Sequence, residues 1–181
     1  MNNTYLYPQI YIKLKPDEMR DSEIKNIIQN SALIEEEDEN GRIKEISLDE
    51  ALKSRKLDNT YFKVIYEPAY KLFLDLENTI ITRDIIVFLP WTKEYIKIKS
   101  GTKVELLEIA GKNVYLFVRE GDRIEYNNKI AYILTGKLEV RTYRSPSKGV
   151  IVYITTLTEK PLKYLLVVVD ESNTRRYSGL Q

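Results

Sequence analysis

Histidine and cysteine are both absent from the 181 residues. Without imidazole or thiolate the chain cannot build the common zinc sites, Ser-His-Asp or Cys-His nucleophilic centres, disulfides or redox thiols. Any chemistry falls to carboxylates, lysines, hydroxyls or a borrowed cofactor. Net charge is nearly absent as well: 28 Lys and Arg face 27 Asp and Glu, leaving +1. No whole-molecule field therefore draws in nucleic acid or an anionic membrane, and neither is expected as a partner. No segment approaches the ~20 apolar residues that span a bilayer, and Met1 to Pro8 lacks the basic start and apolar run of an export signal. The expectation is a cytoplasmic protein, with which the lack of cysteine agrees.

What is present is enough for a core: 43% of residues are hydrophobic and 30% charged, which suits one large domain or two small ones. Abundant Lys, Ile, Glu and Tyr point to a thermophilic source. Tyr5 to Leu14 reads as a strand broken or held at an edge by Pro8. Ile24, Ile27 and Ile28 mark a short helix between Asp21 and Asn30, and Ser47-Leu-Asp-Glu50 opens a second with a capping box. Between them Glu35 to Glu39 form a run of five acids before Asn40-Gly41, read as a solvated loop or hairpin tip rather than a contact for a divalent cation or a basic partner, because five adjacent carboxylates cannot all converge on one ion. From Tyr61 onward short β-prone runs follow one another, including Tyr70 to Leu76 and Ile85 to Trp91.

Beyond Lys99-Ser100-Gly101-Thr102 the chain reads as closely spaced strands: Val104 to Ile109, Val114 to Val118, Arg123 to Tyr126, Lys129 to Leu134, Leu138 to Thr142, Val150 to Ile154 and Tyr164 to Val169. Turn residues separate them, which favours a small barrel or sandwich. Gly136-Lys137 has the form of a two-residue type II′ turn, with Gly136 at positive φ and Lys137 at an exposed apex. Asn127-Asn128 stands at another turn, where Asn tolerates the left-handed region. No upstream glycine lies at P-loop spacing from Lys137, so nucleotide binding there is dismissed.

These residues carry a resemblance. Gly121-Asp122, Asn127-Asn128, the strand residues Ile130, Ala131 and Ile133, the tip Thr135-Gly136-Lys137 and the later Ser145-Pro146-Ser147-Lys148-Gly149-Val150 follow one another as in lipoyl and biotinyl domains. The resemblance implies a barrel-sandwich hybrid fold in which Lys137, beside Gly136, is the place where lipoate or biotin is attached. Leu134 and Gly136 stand where lipoyl domains carry acids, and Gly136 and Leu138 where biotinyl domains carry methionines. Gly149 also lies one residue further from the lysine than usual. Thr-Gly-Lys-x-Glu-Val-Arg, Ser-Pro-x-x-Gly and the final apolar strand further resemble an archaeal family known only as a domain of unknown function.

The fold expectation is thus mostly β: an N-terminal α+β part over residues 1–97, a lipoyl/biotinyl-like β domain over 98–170, and a polar tail, 171–181, whose Arg175-Arg176-Tyr177 is expected to be disordered. Three functional readings stand. The first is a non-enzymatic binding or scaffold module with no cofactor, an unmodified Lys137 and an unidentified protein partner. The second is an acyl or carboxyl carrier with lipoate or biotin on Lys137. The third is an enzyme using Asp75 and Glu77, whose alternation with Leu74 and Leu76 puts both carboxylates on one strand face. Arg141, Tyr143, Arg144 and Lys148 could meet RNA by charge and stacking, but read better as outward residues of a half-exposed strand.

Overall fold

The computed structural model describes residues 7–35, 42–54 and 57–178. In chain order its elements are β1 (Gln9–Ile12), α1 (Ser22–Ile27), β2 (Ile28–Glu35), β3 (Ile43–Ser47), α2 (Leu48–Lys53), β4 (Thr60–Val64), α3 (Tyr70–Phe73), β5 (Leu74–Asp75), β6 (Ile80–Ile81), β7 (Ile85–Leu89) and β8 (Glu94–Ile98). There follow β9 (Val104–Gly111), β10 (Asn113–Leu116), β11 (Arg123–Ile124), β12 (Lys129–Leu134), β13 (Val140–Arg144), β14 (Gly149–Glu159), β15 (Leu162–Val169) and β16 (Thr174–Ser178). The chain is mostly β, as its short alternating runs require. It divides into two compact units, one of residues 1–75, 81–101 and 175–181, the other of 76–80 and 102–174.

The first unit is a seven-stranded sheet in the order β16-β8-β7-β1-β4-β2-β3. Its centre is apolar on both faces: Ile10, Ile12, Phe62, Ile85 and Val87 are buried, and so are Tyr11, Leu33, Tyr61 and Ile86 on the opposite side. The small helices fill turns. Asp21 Oδ1 accepts the Glu23 N–H at the start of α1, and Ser47 Oγ accepts the Glu50 N–H at the start of α2. Most of the acidic run and all of Asn40-Gly41 lie outside the described residues.

Two expectations fail here. Tyr70 to Leu76 is not a strand, since Glu67–Ala69 forms a 3₁₀ turn that passes into α3 and only Leu74–Asp75 is extended. Nor is the tail unstructured at Arg175-Arg176-Tyr177: these residues lie in β16, an edge of the first sheet beside β8. Arg176 Nη1 reaches Glu94 Oε2 at 3.2 Å and the Arg175 guanidinium lies 4.9 Å from the Tyr177 ring centre, so the charges that suggested solvation find partners.

The second unit holds two antiparallel sheets, β10-β12-β13 and β11-β14-β15-β9. The chain changes sheet at Lys112, between β9 and β10. Leu107, Ile109, Ile151, Leu166 and Val168 from the four-stranded sheet meet Val114, Ile130 and Ala131 from the three-stranded one in a single buried core. This two-layered arrangement is of the barrel-sandwich-like class.

Candidate functional site

Lys137 stands on the hairpin that joins β12 to β13, and its side chain is exposed. The loop is not the two-residue turn expected. The Leu138 N–H donates to Thr135 O at 2.9 Å, and the Thr135 N–H donates to Glu139 O at 2.9 Å, so Gly136, Lys137 and Leu138 form a three-residue loop. Leu138, not Gly136, takes the left-handed conformation, with φ +63°. The reason is register: Leu134 pairs with Val140, two residues beyond the expected start of the returning strand. A hydrogen-bonded turn followed by one left-handed residue is then the closure that fits.

A leucine in that conformation is costly, because its Cβ crowds the following carbonyl. Leu138 is 65% exposed and gains little from packing. Leu138→Gly is therefore expected to raise stability by about 1 kcal/mol, read as a higher urea midpoint at unchanged slope.

The other motif residues hold the far end of the same sheets. Gly121 sits at φ +89° and Asn127 at φ +69°, as their turn positions demand. Gly121 N–H donates to Ile151 O at 2.7 Å, and Asp122 Oδ2 accepts the Arg119 N–H. Asn127 N–H donates to Ser145 O and Ser145 N–H to Asn128 O, both at 2.8 Å, tying the Asn turn to the Ser-Pro segment.

Sequence reading missed the face beside the tip. Strand alternation puts Tyr115, Tyr132, Val140 and Thr142 on the outer face of the three-stranded sheet, in the register Tyr115↔Tyr132↔Thr142, with Val140 beside Leu134. Tyr115 and Val140 are each 68% exposed. Phe117 packs edge-on against Tyr132 at 4.6 Å and against Tyr115 at 5.5 Å between ring centres. Three aromatics thus pack edge to face at the surface instead of entering the core. The signal was present in Tyr115-Leu116-Phe117, whose partners alternate inward and outward.

Asp75 ends β5 and Glu77 falls in the following turn, so the two carboxylates do not share a strand face. A cleft of about 460 Å³ in the first unit is lined by other residues, among them Lys13, Lys15, Glu18, Asp58, Arg83 and Asp84. Glu18 binds Arg83 at 2.5 Å, and that hydrogen bond holds its carboxyl below the ordinary range. Asp84 Oδ1 accepts the Ser100 N–H. Glu18 and Asp84 are thus engaged within the fold. Among the described residues no three carboxylates gather to hold a metal ion, and no helix is long and apolar enough to cross a membrane.

A further cluster joins distant strands. Glu35 receives Lys97 Nζ at 2.7 and 2.6 Å, the Tyr177 hydroxyl at 3.2 Å and the Tyr61 hydroxyl at 3.5 Å. Lys97 also lies 5.6 Å from the Tyr61 ring centre. Burial pushes the Tyr61 and Tyr177 hydroxyls upward, with the Glu35 charge adding to it, Tyr177 to about 12.

Comparison with known proteins agrees with the archaeal resemblance. Over 119 residues the chain is 25% identical to Uncharacterized protein MJ0859 of Methanocaldococcus jannaschii, covering 62% of this chain and 71% of that protein. Residues 5–171, nearly the whole length, match the family described as "Uncharacterized protein conserved in archaea (DUF2118)", and the chain belongs to that family.

Proposed function

We propose that the chain is a non-catalytic binding or scaffold module whose second unit keeps a lipoyl/biotinyl-like form without a covalent cofactor. The observation that carries this reading is the outer face of β10-β12-β13. Tyr115, Phe117 and Tyr132, packed edge to face and continued by Val140, make an exposed apolar patch of the kind that marks a protein contact. The tip supports the same reading: Lys137 sits between Gly136 and a left-handed Leu138, a surface unlike the acidic or methionine-flanked tips of modified domains.

The second reading, a carrier with lipoate or biotin on Lys137, draws on the exposed hairpin position of that amine. Intact mass of the protein from its native source separates the two. The unmodified mass is expected under all growth conditions. A lipoyl or biotinyl increment that disappears in Lys137→Arg would establish the carrier instead.

A further inference from the structure

The strand that leads away from the Lys137 tip, β13, is an edge: β12 pairs with one side of it, and among the described residues no strand pairs with the other. Which backbone groups face outward follows from the loop closure. The Thr135 N–H donates to Glu139 O, so the antiparallel alternation makes Leu134↔Val140 and Tyr132↔Thr142 non-hydrogen-bonded pairs. The N–H and C=O groups of Val140 and Thr142 therefore point away from β12. They are a free template for one more strand.

The side chains choose what can pair there. Val140 and Thr142 continue the apolar outer face of Tyr132 and Tyr115, whereas Arg141 lies on the opposite face of the strand and is exposed. Exposed Arg144 and Lys137 stand at the two ends. The nearest acid, Glu139, already pairs with Arg141 at 3.2 Å and leaves the segment basic. Arginines on a strand edge discourage random pairing with neutral or basic strands, and they favour an acidic one.

Resting on the module reading above, we infer that β13 is a strand-addition site for an extended segment of a partner protein that alternates acidic and apolar residues. Its backbone pairs with Val140 and Thr142, its apolar residues extend the Tyr132 face, and its carboxylates meet Arg141. Main-chain bonds supply the attraction and the alternating side chains the selectivity.

The test uses the full chain and a labelled ten-residue peptide of alternating Glu and Val, followed by fluorescence anisotropy. A Lys-Val peptide and a ten-nucleotide oligouridylate serve as competitors. Saturable binding of the Glu-Val peptide is expected, weakening with salt and at least about tenfold tighter than for the Lys-Val peptide. Thr142→Pro removes an outward N–H not used by the fold and is expected to weaken binding about tenfold. Arg141→Glu, which removes only an exposed ion pair to Glu139, is expected to reverse the peptide preference, which decides the matter should the proline variant not fold. Absent binding, equal affinity for both peptides, tighter binding of the RNA, or indifference to both substitutions would overturn the site. The intact-mass result bears on the module reading alone, so failure of one leaves the other identifiable.

Discussion

Replacing Gly149 by Ala is expected to cost about 3 kcal/mol or more, while the same change at Gly136 is expected to be neutral or slightly stabilising. Gly149 opens β14 at φ +147°, a region essentially reserved for glycine. A Cβ there would meet Val169 O at 2.5 Å and Val168 Cγ1 at 3.0 Å. The first of these is backbone of the paired strand β15, which cannot swing aside without opening the ladder that begins at Val150↔Val169. Gly136 has no atom within 4 Å of its would-be Cβ and no positive φ. Urea unfolding of the two variants measures the contrast. Equal effects would show that the Ser-Pro-x-x-Gly segment is not the closure that seats β14 on β15.

That pair of glycines also shows what could be read from sequence alone. β12 lies at its expected bounds because Lys129 to Leu134 alternates between turn residues, and Asn127 adopts the positive φ expected of it. Local rules decide both. Gly136 misled because a Gly-Lys pair fits a two-residue turn, whereas the pairing of Leu134 with Val140 sets the loop length. Tyr70 to Phe73 misled for a related reason: its aromatic and leucine residues suit a strand, yet Pro68 in the preceding 3₁₀ turn starts the chain helically. The Arg-rich end, read by composition as a disordered tail, becomes a strand through pairing with β8, and charge counting cannot anticipate an edge that needs covering.

The Glu35 cluster was invisible for a deeper reason. Glu35 is 62 residues from Lys97 and 142 from Tyr177, and the sheet order puts β2 five strand steps from β16. At about 4.8 Å per step a flat sheet would hold the two strands ~24 Å apart, beyond the reach of a glutamate and a tyrosine together. Their 3.2 Å contact requires the sheet to curl into a half-barrel, and Glu35 clasps the two flanks of that curl. Glu35→Ala is expected to destabilise the protein by about 2 kcal/mol, less than a fully buried pair because the Glu35 side chain is 22% exposed, and to leave Lys97, at 11%, without its carboxylate. Glu35→Gln with Lys97→Met should recover much of the loss, since no charge is then left stranded.

The clasp also sets a pH dependence. Burial acts to raise the Glu35 carboxyl, but the hydrogen bond and charge of Lys97, with the Tyr177 hydroxyl, hold it below its ordinary value of 4.5. A carboxyl depressed in the fold contributes stability above its unfolded pKa, and that contribution is lost as pH falls below about 4. At the alkaline end the sign is opposite. Tyr177 rises to about 12 from 10, so the folded state holds its proton more tightly than the unfolded chain does, and stability declines between pH 10 and 12. Thermal unfolding from pH 3 to 11.5 should show both limbs in the wild-type protein. Glu35→Gln should flatten the acid limb, and Tyr177→Phe should shallow the alkaline one. Acid and alkaline limbs unchanged in both variants would mean that the half-barrel is held by its apolar face alone.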